Sequence, residues 1–168
     1  MWRSPGRPLS QAGAWKLISE SLLNESLVNG GVGSSSELDL LRRRARARAL
    51  HKRFYVHPGL LEQLRSDSRL VLGGRDAAVE AGAPVDAGES LDAYIQAGDL
   101  ESLIDEYRIK EVIEGSNVYL HIVADDTWPF GSSERCVSKQ VAWLDLADSQ
   151  DRAADVLLDR LVGGRLSA

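Results

Sequence analysis

An alternation of short apolar stretches with helical segments, beginning at about residue 66, constrains the fold more than any other feature of this chain. The stretches typical of strands are "RLVLGG" (69–74), "ESLDAYI" (89–95), "KEVIE" (110–114) and "NVYLHIVA" (117–124). Helical spacing occurs in "RDAAVEAGA" (75–83), "AGDLESLIDEY" (97–107) and "SQDRAADVLLDRLV" (149–162). The stretch "CVSKQVAWLDLA" (136–147) is typical of a strand end that runs into a helix. This order predicts an α/β (α+β) domain over residues 61–168, with "KEVIE" and "NVYLHIVA" paired as a hairpin.

The first 60 residues predict a smaller helical region. Ser10 is a suitable N-cap for a helix over about 9–24, and the segment rich in glycine and serine at 29–36 predicts a loop. A second helix is expected from Ser36, with an apolar stripe formed by Leu38, Leu41, Ala45 and Ala49. "KRFYVH" (52–57) then alternates as a short strand, and Pro58 starts a third helix.

Positive charge is concentrated in "LLRRRARARALHKRFYVH" (40–57), although the whole chain has a net charge of −5. Residues 1–60 have a net charge of +6, and residues 61–168 have a net charge of −11. Rows of like charge at helical i, i+4 spacing are mildly unfavourable unless an anion lies against them. A basic helix followed by a basic strand is the outline of a recognition helix and wing on DNA.

We therefore predict that residues 1–60 form a small, basic, partly winged-helix-like DNA-binding region. The candidate phosphate contacts are Arg42, Arg43, Arg44, Arg46, Arg48, Lys52 and Arg53. Neutralising several of them should weaken DNA binding and flatten its dependence on salt. The alternative is a solvated helix with surplus arginines, because a run of charge is often no more than an exposed face.

Catalytic and metal-binding motifs are missing from the sequence. The three histidines, His51, His57 and His121, have no metal-ligand spacing, and the single cysteine, Cys136, excludes both an internal disulfide and a thiolate cluster. No signal peptide or membrane-spanning apolar run is visible. We expect a soluble cytoplasmic protein without membrane contact, and we predict no catalytic residue, no metal and no cofactor.

One arrangement nevertheless has the order of a nucleotidyltransferase core, in which a Gly-Gly turn and a helix precede a strand with two metal-binding carboxylates at i and i+2. Here the strand offers Asp92 and then Tyr94, so the second carboxylate is replaced. Arg75 follows the two glycines where a small hydroxyl would contact phosphate. The C-terminal domain could thus be a degenerate nucleotidyltransferase-like core.

The C-terminal stretch resembles AbiEi-family antitoxins of type IV toxin–antitoxin systems over about residues 66–163. The resemblance is carried by "LVLGGRDAAVEAGAPV", "ESLDAYIQAGDLESLIDEYRI", "NVYLHIVADDTWPF" and above all "VSKQVAWLDLADSQDRAADVLLDRL" (137–161). It implies an N-terminal winged helix that represses the operon and a C-terminal domain that counteracts a cognate nucleotidyltransferase toxin. Trp128 and Phe130 are candidates for partner binding, with core packing as the alternative.

The sequence thus predicts an antitoxin that binds operator DNA, neutralises a nucleotidyltransferase toxin and is not an enzyme; a homodimer stays open. Two alternatives remain. One is a divergent nucleotidyltransferase that uses Asp92 with Glu89 or Asp125, and the other is a pure protein-interaction module whose arginines bind an acidic partner.

Overall fold

The computed structural model describes residues 8–22 and 35–163, and the described residues fall into two compact units divided between Arg48 and Ala49. Most of the loop predicted at 29–36 lies outside the described residues. In the first, helical unit, α1 is Gln11–Leu22, α2 is Ser35–Ala45, and a 3-10 turn follows at Arg46–Arg48. The second unit holds the sheet.

The helical unit contains the two helices that the sequence predicts. The Ser10 hydroxyl accepts a hydrogen bond from the Gly13 amide at 3.0 Å, which caps the start of α1. Buried side chains lie at helical spacing on both helices: Ala14 and Ile18 on α1, and Leu41 and Ala45 on α2. The Trp15 indole N–H donates to the Arg48 carbonyl at 2.9 Å and so ties the 3-10 turn to α1.

The sheet unit contains five strands: β1 Leu50–Tyr55, β2 Val71–Leu72, β3 Leu91–Gln96, β4 Lys110–Glu111 and β5 Val118–Val123. Their spatial order is β2-β3-β5-β1-β4; β3 runs parallel to β5, and the other neighbours are antiparallel. The helices are α3 Leu61–Arg65, α4 Gly74–Glu80, α5 Leu100–Tyr107, α6 Lys139–Asp148 and α7 Ala153–Gly163. Single 3-10 turns lie at Pro58–Leu60, Ala97–Asp99 and Asp125–Thr127. The expected mixed α/β architecture is confirmed.

The strand predicted as a DNA-binding wing is part of the sheet. β1 pairs with β5 along Leu50–Phe54 and with β4 at Phe54 and Tyr55. The boundary between the two units along the chain therefore lies at 48/49 and not at the predicted 60/61. Within residues 8–22 and 35–48 the structure contains helices and no strand, so a winged helix is not confirmed there.

The predicted hairpin between "KEVIE" and "NVYLHIVA" is wrong, because β1 lies between β4 and β5. Asn117, in the connection between these strands, explains the arrangement. Its side-chain oxygen accepts from the Val56 amide at 2.9 Å, and its side-chain nitrogen donates to the Val56 carbonyl at 2.8 Å. The connection is thereby fixed to the end of β1 and cannot close as a tight turn between its own two strands.

The two faces of the sheet differ in chemistry because successive side chains of a strand point to opposite sides. One face forms the main apolar core, with Ala93 and Ile95 of β3 and Leu120 of β5 packed against Leu103 and Tyr107 of α5. The other face carries polar side chains.

None of the helices among residues 8–22 and 35–163 is both long enough and apolar enough to span a bilayer.

Candidate functional site

A polar cluster lies on the second face of the sheet, where β3 and β5 run side by side. Asp92 and Tyr94 project from β3, and His121 is the register partner of Tyr94 on β5. The rings of Tyr94 and His121 are stacked, with centroids 4.5 Å apart. Asp145 joins the cluster from α6, although it is distant in sequence.

The cluster is held together by direct polar contacts. His121 Nε2 lies 2.7 Å from Asp92 Oδ1 and 3.8 Å from Asp145 Oδ1. The Tyr94 hydroxyl donates to Asp145 Oδ1, and the Gly74 amide donates to Asp145 Oδ2 at 3.2 Å. Asp145 is only 2% exposed and His121 only 7%. One ligand atom from each of Asp92, His121 and Asp145 lies within 4.8 Å of the other two.

The Gly-Gly turn before α4 makes room for both carboxylates. A Cβ on Gly73 would lie 2.5 Å from Asp145 Oδ2 and 2.8 Å from Asp92 Oδ1, so any side chain there would displace them. Gly74 has φ +51°, in the left-handed region that favours glycine, and its Cβ would lie 2.9 Å from that of Asp92. The predicted turn is therefore present, and it brings the backbone against two acids.

His51 extends the cluster along β1. It is the register partner of His121, and the Nδ1 atoms of the two rings are 2.6 Å apart. One ring must donate the proton of this hydrogen bond and the other must accept it, because neutral imidazole has one donor and one acceptor nitrogen. The tautomer of His121 is therefore linked to that of His51.

A cavity of about 230 Å³ adjoins the cluster, and Asp92 forms part of its wall. Arg75 also lines it, but its guanidinium is bound to both oxygens of Asp151, at 2.6 and 2.9 Å, and this contact lowers the pKa of Asp151. Asp76 lies on the same wall, and its burial raises its pKa to about 6 despite Arg65 Nε at 2.8 Å. Two of the acids that bound the cavity, Asp76 and Asp151, thus have guanidinium partners nearby.

The fold does not bring Asp92 together with the carboxylates that a nucleotidyltransferase site would need. Tyr94 occupies the second carboxylate position and is completely buried. Glu89 is exposed and precedes β3. Asp125 accepts a hydrogen bond from the Gly98 amide at 2.9 Å. Asp92 is therefore grouped with His121 and Asp145 instead of with Glu89 or Asp125.

The predicted DNA contacts fall into three groups. Arg43, Arg44 and Arg46 are exposed on the helical unit, and Arg42 is half-buried with Asp39 at 3.5 Å. Arg48 has to be removed from the set, because its side chain is completely buried and its Nη1 donates to the Ala45 carbonyl at 3.0 Å.

The last two predicted contacts belong to the sheet unit. Lys52 Nζ is 3.3 Å from Glu111 Oε2, and the exposed Arg53 lies over the Tyr119 ring at 5.7 Å. Both side chains therefore have partners within their own unit.

Trp128 and Phe130 are half-buried and pack edge to face, with centroids 4.9 Å apart. The Phe130 ring is in turn 5.3 Å from that of Tyr94. These rings lie beside the polar cluster. Part of each side chain packs inward and part remains accessible, so the structure is compatible with both core packing and partner binding. Trp143 and Leu144 of α6 are buried, as the helix pattern predicts.

Comparison with known proteins gives no further assignment, since no protein-family model, curated protein or solved structure matches this chain. The relation to AbiEi-family antitoxins stays a prediction.

Sequence reasoning missed His121 and Asp145 as members of one site. They lie on a strand and on a helix, and no local spacing joins them. A usable signal existed in α6, where Asp145 is the one acid within the otherwise apolar run 141–147, all of it buried. A buried acid needs hydrogen-bond donors or a positive charge close by. That requirement could have marked Asp145 as part of a polar site.

Proposed function

We propose that this chain is a non-catalytic antitoxin that represses its own operon, with the helical unit as the DNA-binding part. The observation that carries this proposal is the exposure of Arg43, Arg44 and Arg46 on a compact unit of its own. Residues 1–48 have a net charge of +4, whereas residues 49–168 have a net charge of −9. The cytoplasm is the proposed compartment, consistent with a single free cysteine.

The arginine geometry supports binding to a polyanion. Arg43 and Arg44 are on the last turn of α2, and Arg46 begins the 3-10 turn that follows. Three guanidinium groups within four residues raise the local positive potential, and each one neutralises a phosphate charge when it contacts DNA. Such a row of arginines can contact phosphates whatever the DNA sequence, because phosphate contacts do not read the bases.

The polar cluster supports the non-catalytic part of the proposal. A nucleotidyltransferase places two carboxylates on one strand face so that they hold Mg²⁺ against the substrate phosphates. Tyr94 fills one of these positions, and its hydroxyl donates to Asp145 in the buried interior. The acidic surface of the sheet unit would suit a basic surface on a partner toxin, with Trp128 and Phe130 as apolar contacts.

Gel-shift titration of the full chain on the DNA upstream of its own reading frame tests the DNA part. Arg43→Ala, Arg44→Ala and Arg46→Ala combined should weaken binding at least about tenfold and reduce the salt slope by up to about 3. The matched control is Lys110→Ala, Lys139→Ala and Arg152→Ala, which removes the same charge from exposed positions of the sheet unit. Equal losses in the two triple variants would mean that net charge alone acts, and the assignment would be wrong.

Co-expression with a nucleotidyltransferase encoded in a neighbouring reading frame tests the antitoxin part. The wild-type chain should restore growth, and the triple arginine variant should still do so, because DNA contact and neutralisation belong to different units. Failure of the wild-type chain to protect cells from any adjacent nucleotidyltransferase would remove the antitoxin assignment.

A divergent nucleotidyltransferase is the second candidate, favoured by the position of Asp92 at the Gly-Gly turn and on the wall of the cavity. Incubation with labelled nucleoside triphosphates, Mg²⁺ and RNA is the decisive assay. Label transfer that disappears in Asp92→Ala would replace the first proposal by this one.

A further inference from the structure

We propose that Asp92, His121 and Asp145 form a binding site for one divalent transition-metal ion, Zn²⁺ or Mn²⁺. This inference does not depend on DNA binding or on toxin neutralisation, since it uses only the polar cluster of the sheet unit. Two carboxylates and one imidazole are a ligand set that both ions accept.

The distances suit a common ligand sphere. Ligand bonds of 2.0–2.2 Å in a tetrahedral site place neighbouring ligand atoms roughly 3.3 Å apart. The separations of His121 Nε2 from Asp92 Oδ1 and Asp145 Oδ1, 2.7 and 3.8 Å, lie on either side of that value. The ligand atoms come from three different elements, β3, β5 and α6, which fixes their directions independently.

The two carboxylates and the imidazole share one small volume. Asp145 is almost completely buried, Asp92 is mostly buried, and both carboxylates converge on the backbone of Gly73. His121 Nε2 lies beside both carboxylates, so a bound cation would take the place of the proton that this nitrogen can share with Asp92.

Side chains around the three ligands are arranged as the outer partners of a metal site. His121 Nδ1 is 2.6 Å from His51 Nδ1, and a proton on that nitrogen of His121 leaves Nε2 with its lone pair towards the carboxylates. Tyr94 and the Gly74 amide donate to the two oxygens of Asp145 and so orient it. Hydrogen bonds of this kind fix ligand orientation and tautomer and strengthen metal binding.

The cavity supplies a route to the site. Its wall includes Asp92, the most exposed of the three ligands, together with the hydroxyl-bearing Ser90 and Ser149. An ion arriving from solvent would meet Asp92 first and could retain water on the cavity side. Imidazole among the ligands favours Zn²⁺ over Mg²⁺, which prefers a shell of oxygen atoms, and the two carboxylates also suit Mn²⁺.

The test is calorimetric titration of the chelator-treated full chain with ZnCl₂, MnCl₂ and MgCl₂, together with metal analysis of the dialysed complex. One equivalent of Zn²⁺ or Mn²⁺ should bind per chain, and Mg²⁺ should bind at least about tenfold more weakly. Asp92→Asn should weaken binding by more than about a hundredfold, since outer partners alone change affinity 10–100-fold. His51→Ala, which removes an outer partner, should weaken it about tenfold.

Glu89→Gln is the matched control, because it removes a carboxylate charge from an exposed position just before β3 and leaves the three ligands in place. It should bind like the wild type. Binding that survives unchanged in both Asp92→Asn and His121→Gln, or the absence of one-to-one binding by the wild type, would overturn the proposal. If only hydrogen bonds hold the three side chains together, the wild type would show no one-to-one metal binding.

Co²⁺ substitution in the wild-type chain provides a readout that needs no variant to fold. Nitrogen and oxygen ligands in a four- or five-coordinate site should give visible absorption without an intense sulfur charge-transfer band. A strong sulfur band would place the ion at Cys136 and would contradict the assignment.

Discussion

Three arginines of the sheet unit and three arginines of the helical unit lie in different surroundings. In the sheet unit, Arg65, Arg69 and Arg75 each face a carboxylate from another part of the unit or from a tight local turn. In the helical unit, Arg43, Arg44 and Arg46 are exposed. The number of arginines in a unit therefore says little about what they do, whereas the number of carboxylates close to them shows whether they can form ion pairs within the fold.

The difference follows from composition. Residues 49–168 contain 21 acidic and 12 basic residues, so a folded guanidinium group in that unit readily meets a carboxylate. Residues 1–48 contain four acidic and eight basic residues, so carboxylates are scarcer there relative to basic side chains. We expect the paired arginines Arg65 and Arg69 to stabilise the fold, and the exposed Arg43, Arg44 and Arg46 to contribute little to its stability.

The largest effect is expected at the pair Arg65 and Asp76, whose side chains are 15% and 7% exposed. Arg65→Met should lower the free energy of unfolding by about 3 kcal/mol at pH 8, because it leaves a buried carboxylate without its cation. Urea denaturation followed by circular dichroism measures this. The double variant Arg65→Met with Asp76→Asn should recover at least half of the loss, and a double variant as unstable as the single one would contradict the argument.

The same pair has a pH signature. Burial raises the pKa of Asp76 to about 6, so the folded state binds the proton more strongly than the unfolded chain between about pH 4 and 6. The contribution of this group to stability therefore falls as pH rises through that window. The loss caused by Arg65→Met should accordingly be smaller at pH 5 than at pH 8, and an equal loss at both values would contradict the assignment.

A smaller effect is expected at Asp67, which accepts hydrogen bonds from Arg69 and from the Tyr107 hydroxyl. Arg69 holds the pKa of Asp67 down at about 2, so its stabilising contribution is present above about pH 4 and is lost as pH falls towards 2. Asp67→Asn should lower the free energy of unfolding by about 2 kcal/mol at pH 7. The difference in free energy of unfolding between Asp67→Asn and the wild type should become smaller as the pH falls from 4 to 2, as measured by urea denaturation at each pH.

The smallest effect is expected in the helical unit. Arg43→Ala, Arg44→Ala and Arg46→Ala together should change the free energy of unfolding by less than about 1 kcal/mol in either direction, because exposed side chains contribute little to stability. Thermal and urea denaturation at neutral pH measure this. A loss comparable to that of Arg65→Met would show that these arginines are structural and would weaken the DNA proposal.

Much of the fold could be predicted because its signals are local. Glycines, helix caps and alternating apolar positions mark β3, α5 and α6 within a few residues of their observed ends. Strand pairing could not be predicted in the same way. Nothing in "KEVIE" or "NVYLHIVA" reveals that β1 lies between them, and the alternation in β1 fits any half-buried strand equally well.

The candidate site was predictable only in part, for the same reason. The Gly-Gly turn, Asp92 and Tyr94 lie close in sequence, so their proximity follows from a strand–turn–helix order. His121 and Asp145 reach them through strand pairing and helix packing across 29 and 53 residues counted from Asp92. Contacts of that range depend on the whole fold, and no spacing rule encodes them.

The interior position of β1 has a consequence for synthesis in the cell. The strand leaves the ribosome early, yet one of its partners, β5, ends at Val123, 68 residues after Tyr55. At 5–20 residues per second, translation of that interval takes roughly 3 to 14 s. During this time Phe54 and Val56, both buried in the finished protein, are not yet covered by the complete sheet. We expect both side chains of the nascent chain to be accessible to chaperones until β5 has been synthesised.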